Sequence, residues 1–382
     1  MVAVWARLLA AAALSFAAAA AAPQQALPSS MAGSCMHGDL FVTSGQKQPA
    51  QGNVPVQASG SHVYAIGSDG QYKEVAAIAP DLLVSYCAVS DLFIVLAVLS
   101  QTPEPGSSNP VIYSGSLLLS IFARDDAQST QWKQTQQFSQ VLPSTSGILQ
   151  TSVSVTDSTL VVTSQTPNPL NSGSVSIYSL LSQTGQFSLS QPPLTGSIDI
   201  YSNQLTFLEV SLFGDRLAVS GFPGVASNTS SATNVYVRGA DGKFAFESET
   251  PKPCANPVLG KGGLLAASTS VGIDLYLLGA DGKYSLADSL VSPGSSAELR
   301  GTKSLAMSPD GSRLVRGVGP YDYSSSTGCV VYKIASGKVS LETDSYGAAP
   351  LTVRCAAGAT TYAVSTVDQT TSLVSANMIK YL

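Results

Sequence analysis

Polar and apolar positions in this chain alternate in short bursts, and the burst recurs seven times. Each unit has an apolar strand, a connection rich in Ser, Pro and Gly, a Val-Tyr-type strand, a tight turn and an aromatic strand. Three copies show it best: Val63-Tyr64 with Asp69-Gly70-Gln71-Tyr72, Val235-Tyr236 with Asp241-Gly242-Lys243-Phe244, and Leu275-Tyr276 with Asp281-Gly282-Lys283-Tyr284. The anchors Tyr64, Ile121, Tyr178, Tyr236, Tyr276, Tyr332 and Ile379 lie 40 to 58 residues apart. A second apolar run precedes each anchor, from Leu40-Val42 and Phe93-Val98 to Tyr362-Ser365. No 3.6-residue apolar period competes with this pattern in the chain after its leader.

Repeats of three or four short strands predict an all-β chain, a seven-bladed β-propeller of mostly four-stranded antiparallel blades. A β-sandwich or two smaller β domains are the alternatives, and no linker divides the chain. The reading assigns 1–22 to a signal peptide, 23–30 to a short N-terminal segment and 31–382 to one propeller domain. Arg7 is the only charged residue before Asp39, and the apolar run Leu8–Ala22 is alanine-rich and too short to span a bilayer. A secreted, extracellular protein is expected.

Removing the leader leaves 18 basic and 24 acidic residues, a net charge of −6, which argues against nucleic acid as a partner. No basic cluster suggests a membrane surface. The five cysteines fall after the leader, so disulfides are expected and at least one thiol is left unpaired within a monomer. No Cys-x-x-Cys occurs, and the two histidines, His37 and His62, are not spaced as a metal site.

Phe213-Gly214, Gly221-Phe222-Pro223 and Asn234-Val235-Tyr236-Val237 resemble an FG-GAP repeat, the blade unit of integrin α-subunit propellers and many secreted propellers. The resemblance implies the propeller fold and raises the question of calcium, which that family often binds through an Asp-x-Asp-x-Asp-Gly loop. Here the corresponding turns are short, as at Val155–Leu160, and one carboxylate cannot supply the six to eight oxygens calcium takes. No calcium is expected at these turns, no other metal and no cofactor.

One face of such a ring carries tight turns with Asp39, Asp91, Asp157 and Asp215, and these acids read as turn chemistry before they read as an acidic ring. The other carries long connections, Ser44–Ser61, Ser100–Ser116, Gln165–Ser174, Phe222–Thr233 and Gly319–Gly328. Tyr113, Tyr321 and Tyr323 fall on them as candidate binding residues, and Asn228 opens the sole glycosylation sequon, Asn228-Thr229-Ser230. Cys35, Cys87 and Cys355 share one inner-strand position, which suggests a closure disulfide Cys35–Cys355; three small buried side chains are the alternative. Glu209 is the one carboxylate in the middle of an innermost strand, with Lys303 and Arg354 as cations on others. It is a weak catalytic candidate, because a propeller glycosidase needs a second carboxylate.

The reading that follows is a secreted non-catalytic propeller whose loop face binds an extracellular protein or glycan. A secreted carbohydrate-active enzyme, hydrolase or lyase, and a structural wall or matrix component are the alternatives.

Overall fold

A computed structural model describes residues 24–27, 34–43, 60–79, 84–104, 106, 113–145, 151–166, 172–197, 208–222, 225, 232–252, 254–269, 272–291, 301–319, 327–347, 351–358, 360–368 and 374–381. Six blades are each built from consecutive antiparallel strands. Blade one holds β2 (Ser34–His37), β3 (Leu40–Thr43), β4 (Ser61–Ile66) and β5 (Tyr72–Ile78). Blade two holds β6 (Tyr86–Val89), β7 (Phe93–Pro103), β8 (Tyr113–Ala123) and β9 (Lys133–Thr145). Blade three has β10 (Val153–Val155), β11 (Thr159–Thr166), β12 (Ser172–Leu181), β13 (Gln186–Leu189) and an added β14 (Leu194–Ser197). Blade four has β15 (Glu209–Phe213), β16 (Arg216–Ser220), β17 (Asn234–Arg238) and β18 (Phe244–Glu249). Blade five has β19 (Ala255–Gly260), β20 (Leu264–Ser268), β21 (Gly272–Leu278) and β22 (Tyr284–Val291). Blade six has β23 (Gly301–Met307), β24 (Arg313–Gly319), β25 (Thr327–Ala335) and β26 (Lys338–Gly347).

Seven like units were expected, but only six blades are contiguous in the chain. The remaining sheet is composite. β27 (Leu351–Ala357), β28 (Thr361–Asp368) and β29 (Val374–Lys380) take their fourth strand from the other end, where β1 (Gln24–Leu27) pairs with β29. The register runs from Gln24 opposite Ile379 to Leu27 opposite Ala376. The short N-terminal segment therefore contributes the outer strand of this closing sheet. The innermost strands touch in succession, β2–β6–β10–β15–β19–β23–β27 and back to β2, so the ring is closed.

The second strand of each blade explains the packing. Phe41-Val42, Ile94-Val95-Leu96, Leu160-Val161-Val162, Leu217-Ala218-Val219 and Leu265-Ala266-Ala267 are all fully buried. Their apolar runs do not alternate because a neighbouring sheet covers each face. One hydrophobic cluster fills each interface between neighbouring sheets around the ring.

The Val-Tyr signature marks a second device. The third strand meets a β-bulge in the outer strand at Val63/Tyr64, Ile121/Phe122, Val235/Tyr236, Leu275/Tyr276 and Val331/Tyr332. A bulge adds twist and re-aims a side chain. In blades four and six the extra residue is Glu247 or Glu342, which reaches past the third strand to Arg216 or Arg313 on the second. Arg216 donates to Glu247 through Nε and NH2, each at 2.8 Å, and Arg313 Nε donates to Glu342 Oε2 at 2.9 Å.

The disulfides correct the expected closure pair. Cys35 is bonded to Cys87, with Cα atoms 5.7 Å apart, and Cys329 to Cys355, with Cα atoms 6.2 Å apart. Cys35 lies in the cluster between blades one and two, and Cys355 in the cluster between blade six and the closing sheet. The two side chains therefore point away from the seam they were expected to tie. At that seam pack their chain neighbours Met36 and Ala356.

Candidate functional site

The tight-turn face is built by three copies of one local motif. Asp69, Asp241 and Asp281 each accept a hydrogen bond through Oδ1 from the backbone N–H two residues on, at 3.1, 3.0 and 3.2 Å. The glycine between adopts φ of 74° to 79°, which only glycine takes without strain. The four first-turn acids do not form a bare ring. Asp157 Oδ1 accepts the N–H of Leu92 at 2.9 Å, and Asp91 lies 3.7 Å from His37 Nε2. Arg124 donates from Nε to the Asp91 carbonyl and stacks on Trp132.

The longest connections from second to third strand, 44–60, 104–112, 221–233 and 320–326, leave from the other ends of the strands and fall mostly outside the described residues. The second blade departs from expectation here, because 100–103 and 113–116 continue β7 and β8 as a paired ribbon instead of a loop. Tyr113 begins β8 opposite Pro103; its side chain lies outside the described residues, as do Tyr321, Tyr323 and Asn228 altogether. The side chains of Lys303 and Arg354 lie outside them too.

Glu209 is brought into a defined setting at the long-connection end of the interface between blades four and five. Ser211 Oγ accepts the N–H of Leu259 on β19 at 2.9 Å, and Ala218 and Val235 pack with Cys254, Leu259 and Tyr276 of blade five. Strand side chains alternate with period two, so Glu209 and its cross-strand partner Ser220 face blade five as well. The row continues to Thr233 and Thr250, where Thr250 donates its N–H to the Thr233 carbonyl at 3.0 Å. Ser220 and Thr233 flank the 221–232 connection, so this polar row lies at the root of a long loop.

Blade five meets the row with a bulge. Asn256 and Pro257 together oppose Ala267, and Asn256 has φ of 48°. Ala267 belongs to the cluster facing blade four, which puts the bulge on that side. The Asn256 backbone favours the charged form of Glu209, but burial outweighs it and pushes the acid up to about 7. Glu209 Oε2, Ser220 Oγ and Asn256 Oδ1 are all buried and have no hydrogen-bond partner.

The free thiol beside this row is satisfied. Cys254 Sγ lies 3.2 Å from Thr233 Oγ1 and 3.3 Å from Thr250 Oγ1, and burial raises its pKa, so it is a packed thiol and not a nucleophile. Asp274 behind it accepts from Ser289 Oγ at 2.6 Å and Tyr276 OH at 3.2 Å, with Lys252 Nζ at 3.5 Å.

Sequence reasoning singled out Glu209 and missed Ser220 and Asn256. The signal for the second was present: an Asn-Pro pair inside an inner strand marks a bulge, because Asn tolerates positive φ and Pro cannot donate to a ladder. Among the described residues no second carboxylate is coupled to Glu209, and no cluster of three or more His, Cys, Asp or Glu is placed to hold a metal.

No protein-family model matches the chain, so the FG-GAP resemblance has no counterpart among them, and no curated protein matches it. Solved structures do. A "putative 6-phosphogluconolactonase" from Bacteroides uniformis ATCC 8492 aligns with TM-score 0.51 at 12% identity, covering 90% of this chain and 96% of that one. One of the same description from Bacteroides fragilis NCTC 9343 aligns with TM-score 0.49 at 12% identity, covering 90% and 95%. At such identity the likeness shows the β-propeller fold alone.

Proposed function

We propose that this chain is a secreted, non-catalytic β-propeller that presents its long-connection face to an extracellular protein or glycan, with the composite sheet as the seventh, ring-closing blade. The observation that carries the reading is the contrast between the two faces. One is finished by repeated Asp-Gly turns whose polar groups are satisfied locally. The other is made of connections of unequal length and sequence on a rigid scaffold, where binding residues concentrate. Two disulfides fit an oxidising compartment, and the leader-like N-terminus fits export. Among the described residues no helix is long and apolar enough to cross a membrane.

Against an enzyme stands the isolation of Glu209. A glycosidase of the usual kind positions two carboxyl groups on either side of the scissile bond, and among the described residues no second carboxylate is coupled to Glu209. The test is a glycan array and a panel of polysaccharides incubated with the intact protein. Binding without product release, abolished when 44–60 is replaced by a short Gly-Ser turn, supports the proposal. Product release that disappears in Glu209→Gln overturns it in favour of a hydrolase or lyase.

A further inference from the structure

Three buried oxygens without partners, on the facing sides of two neighbouring blades, are the strongest unexplained feature of this protein. Each is costly to leave unmet, because a buried polar atom has given up water and received nothing in return. Glu209 and Ser220 are cross-strand partners on β15 and β16 whose side chains share the face toward blade five, and Asn256 lies in the β19 bulge on the side facing blade four. The bulge that turns Asn256 toward blade four is a local distortion kept at positive φ in a non-glycine residue. Such distortions persist where the surroundings require them.

The chemistry of the set selects its occupant. A carboxylate, a side-chain amide oxygen and a hydroxyl are all oxygen donors, suited to a hard cation and not to an anion. A proton on Glu209, donated to Ser220 Oγ or Asn256 Oδ1, would meet two of the three atoms and leave the third. One carboxylate balances one positive charge, whereas calcium would leave an excess charge at the site.

We propose that Glu209, Ser220 and Asn256 form a site for a monovalent cation, sodium or potassium, between blades four and five, with water completing its coordination. The ion neutralises the half-buried carboxylate and joins the two inner strands at the root of the 221–232 connection. This site is separate from any ligand on the loop face and stands or falls without it.

The experiment is thermal unfolding of the intact protein at pH 8, where Glu209 is ionised, in sodium, potassium or tetramethylammonium chloride at equal ionic strength. Tetramethylammonium screens charge equally but is too large to enter. The wild-type protein is expected to unfold about 2 °C higher at tenfold saturation with the preferred small ion, and to saturate with its concentration. Glu209→Gln, which keeps shape and removes charge, is expected to unfold at one temperature in all three salts. Ser220→Ala, which keeps the charge and loses one oxygen, is expected to need about tenfold more cation for half the effect. Equal unfolding temperatures in the three salts for the wild-type protein overturn the proposal and leave the row to buried water. So does a sodium or potassium effect that survives in Glu209→Gln, or a stabilisation given by calcium and by neither monovalent ion.

Discussion

Reducing the two disulfides separately should reveal how the ring is held on each side of its seam. The Cys35–Cys87 bridge closes a loop of 52 residues and the Cys329–Cys355 bridge one of 26. The chain-entropy relation gives losses of about 4 and about 3.5 kcal/mol for opening them. The difference is small because doubling a loop adds only about 0.6 kcal/mol. Replacement by alanine should reverse the order. Cys329 and Cys355 are 0% and 6% exposed, while Cys35 and Cys87 are half-buried. Deleting sulfur from the sealed pair adds a cavity cost of about 1 kcal/mol per site. Guanidinium unfolding of oxidised, reduced and paired-alanine proteins measures both series, and alkylation with mass spectrometry verifies the pairing. The denatured, unreduced protein should label once, at Cys254. Five labelled thiols, or a peptide linking Cys35 to Cys355, refute the pairing. Losses below about 1 kcal/mol on reducing both bridges refute the loop-entropy reasoning.

Three further outcomes are expected. In tetramethylammonium buffer, the buried Glu209 carboxyl should cost stability as pH rises. Its pKa is raised to about 7 from an ordinary 4.5, so the penalty is absent below about 4.5, grows to about 3 kcal/mol by pH 7 and stays there. Glu209→Gln should flatten that slope in urea melts across pH 4 to 8, and an equal slope in both proteins would refute the burial argument. Glu342→Ala should destabilise by about 2 kcal/mol, because Arg313, only partly exposed, loses a two-point charged partner while keeping its stacking on Tyr381; Glu342→Gln should recover part of that loss, and a neutral Ala variant would refute it. Gly242→Ala should cost about 1 kcal/mol from its φ of 79° alone, since a Cβ there meets nothing within 4 Å, and Gly242→Asn should cost less.

Much of the architecture was legible because each blade needs one strand buried on both faces, and such strands read as unbroken apolar runs. The turns were legible for a similar reason: Asp-Gly has few other uses at that spacing. Strand β1 was not legible. Gln24-Gln25-Ala26-Leu27 has no marked pattern, and its partner lies at the far end of the chain. The disulfides failed on direction. A shared offset on inner strands located three cysteines correctly in depth, but it did not say which neighbour each side chain faces, and Cys329 sits on a third strand. Glu209 stood out as a charge in an apolar setting, whereas Ser220 and Asn256 become distinctive only when two blades are brought together.

The composite sheet has a consequence for how the molecule is made. Each of the six contiguous blades can hydrogen-bond its strands as soon as its own segment has emerged. β1 emerges first among the strands and cannot pair until β29, the last, has followed it. Until then the N-terminal strand is an unclaimed edge, and the nascent ring is open at one side. Completion is a late event between distant parts of the chain, of the kind that slows folding. The bridges on either side of the seam then act as clasps on a necklace whose fastening is its own first bead.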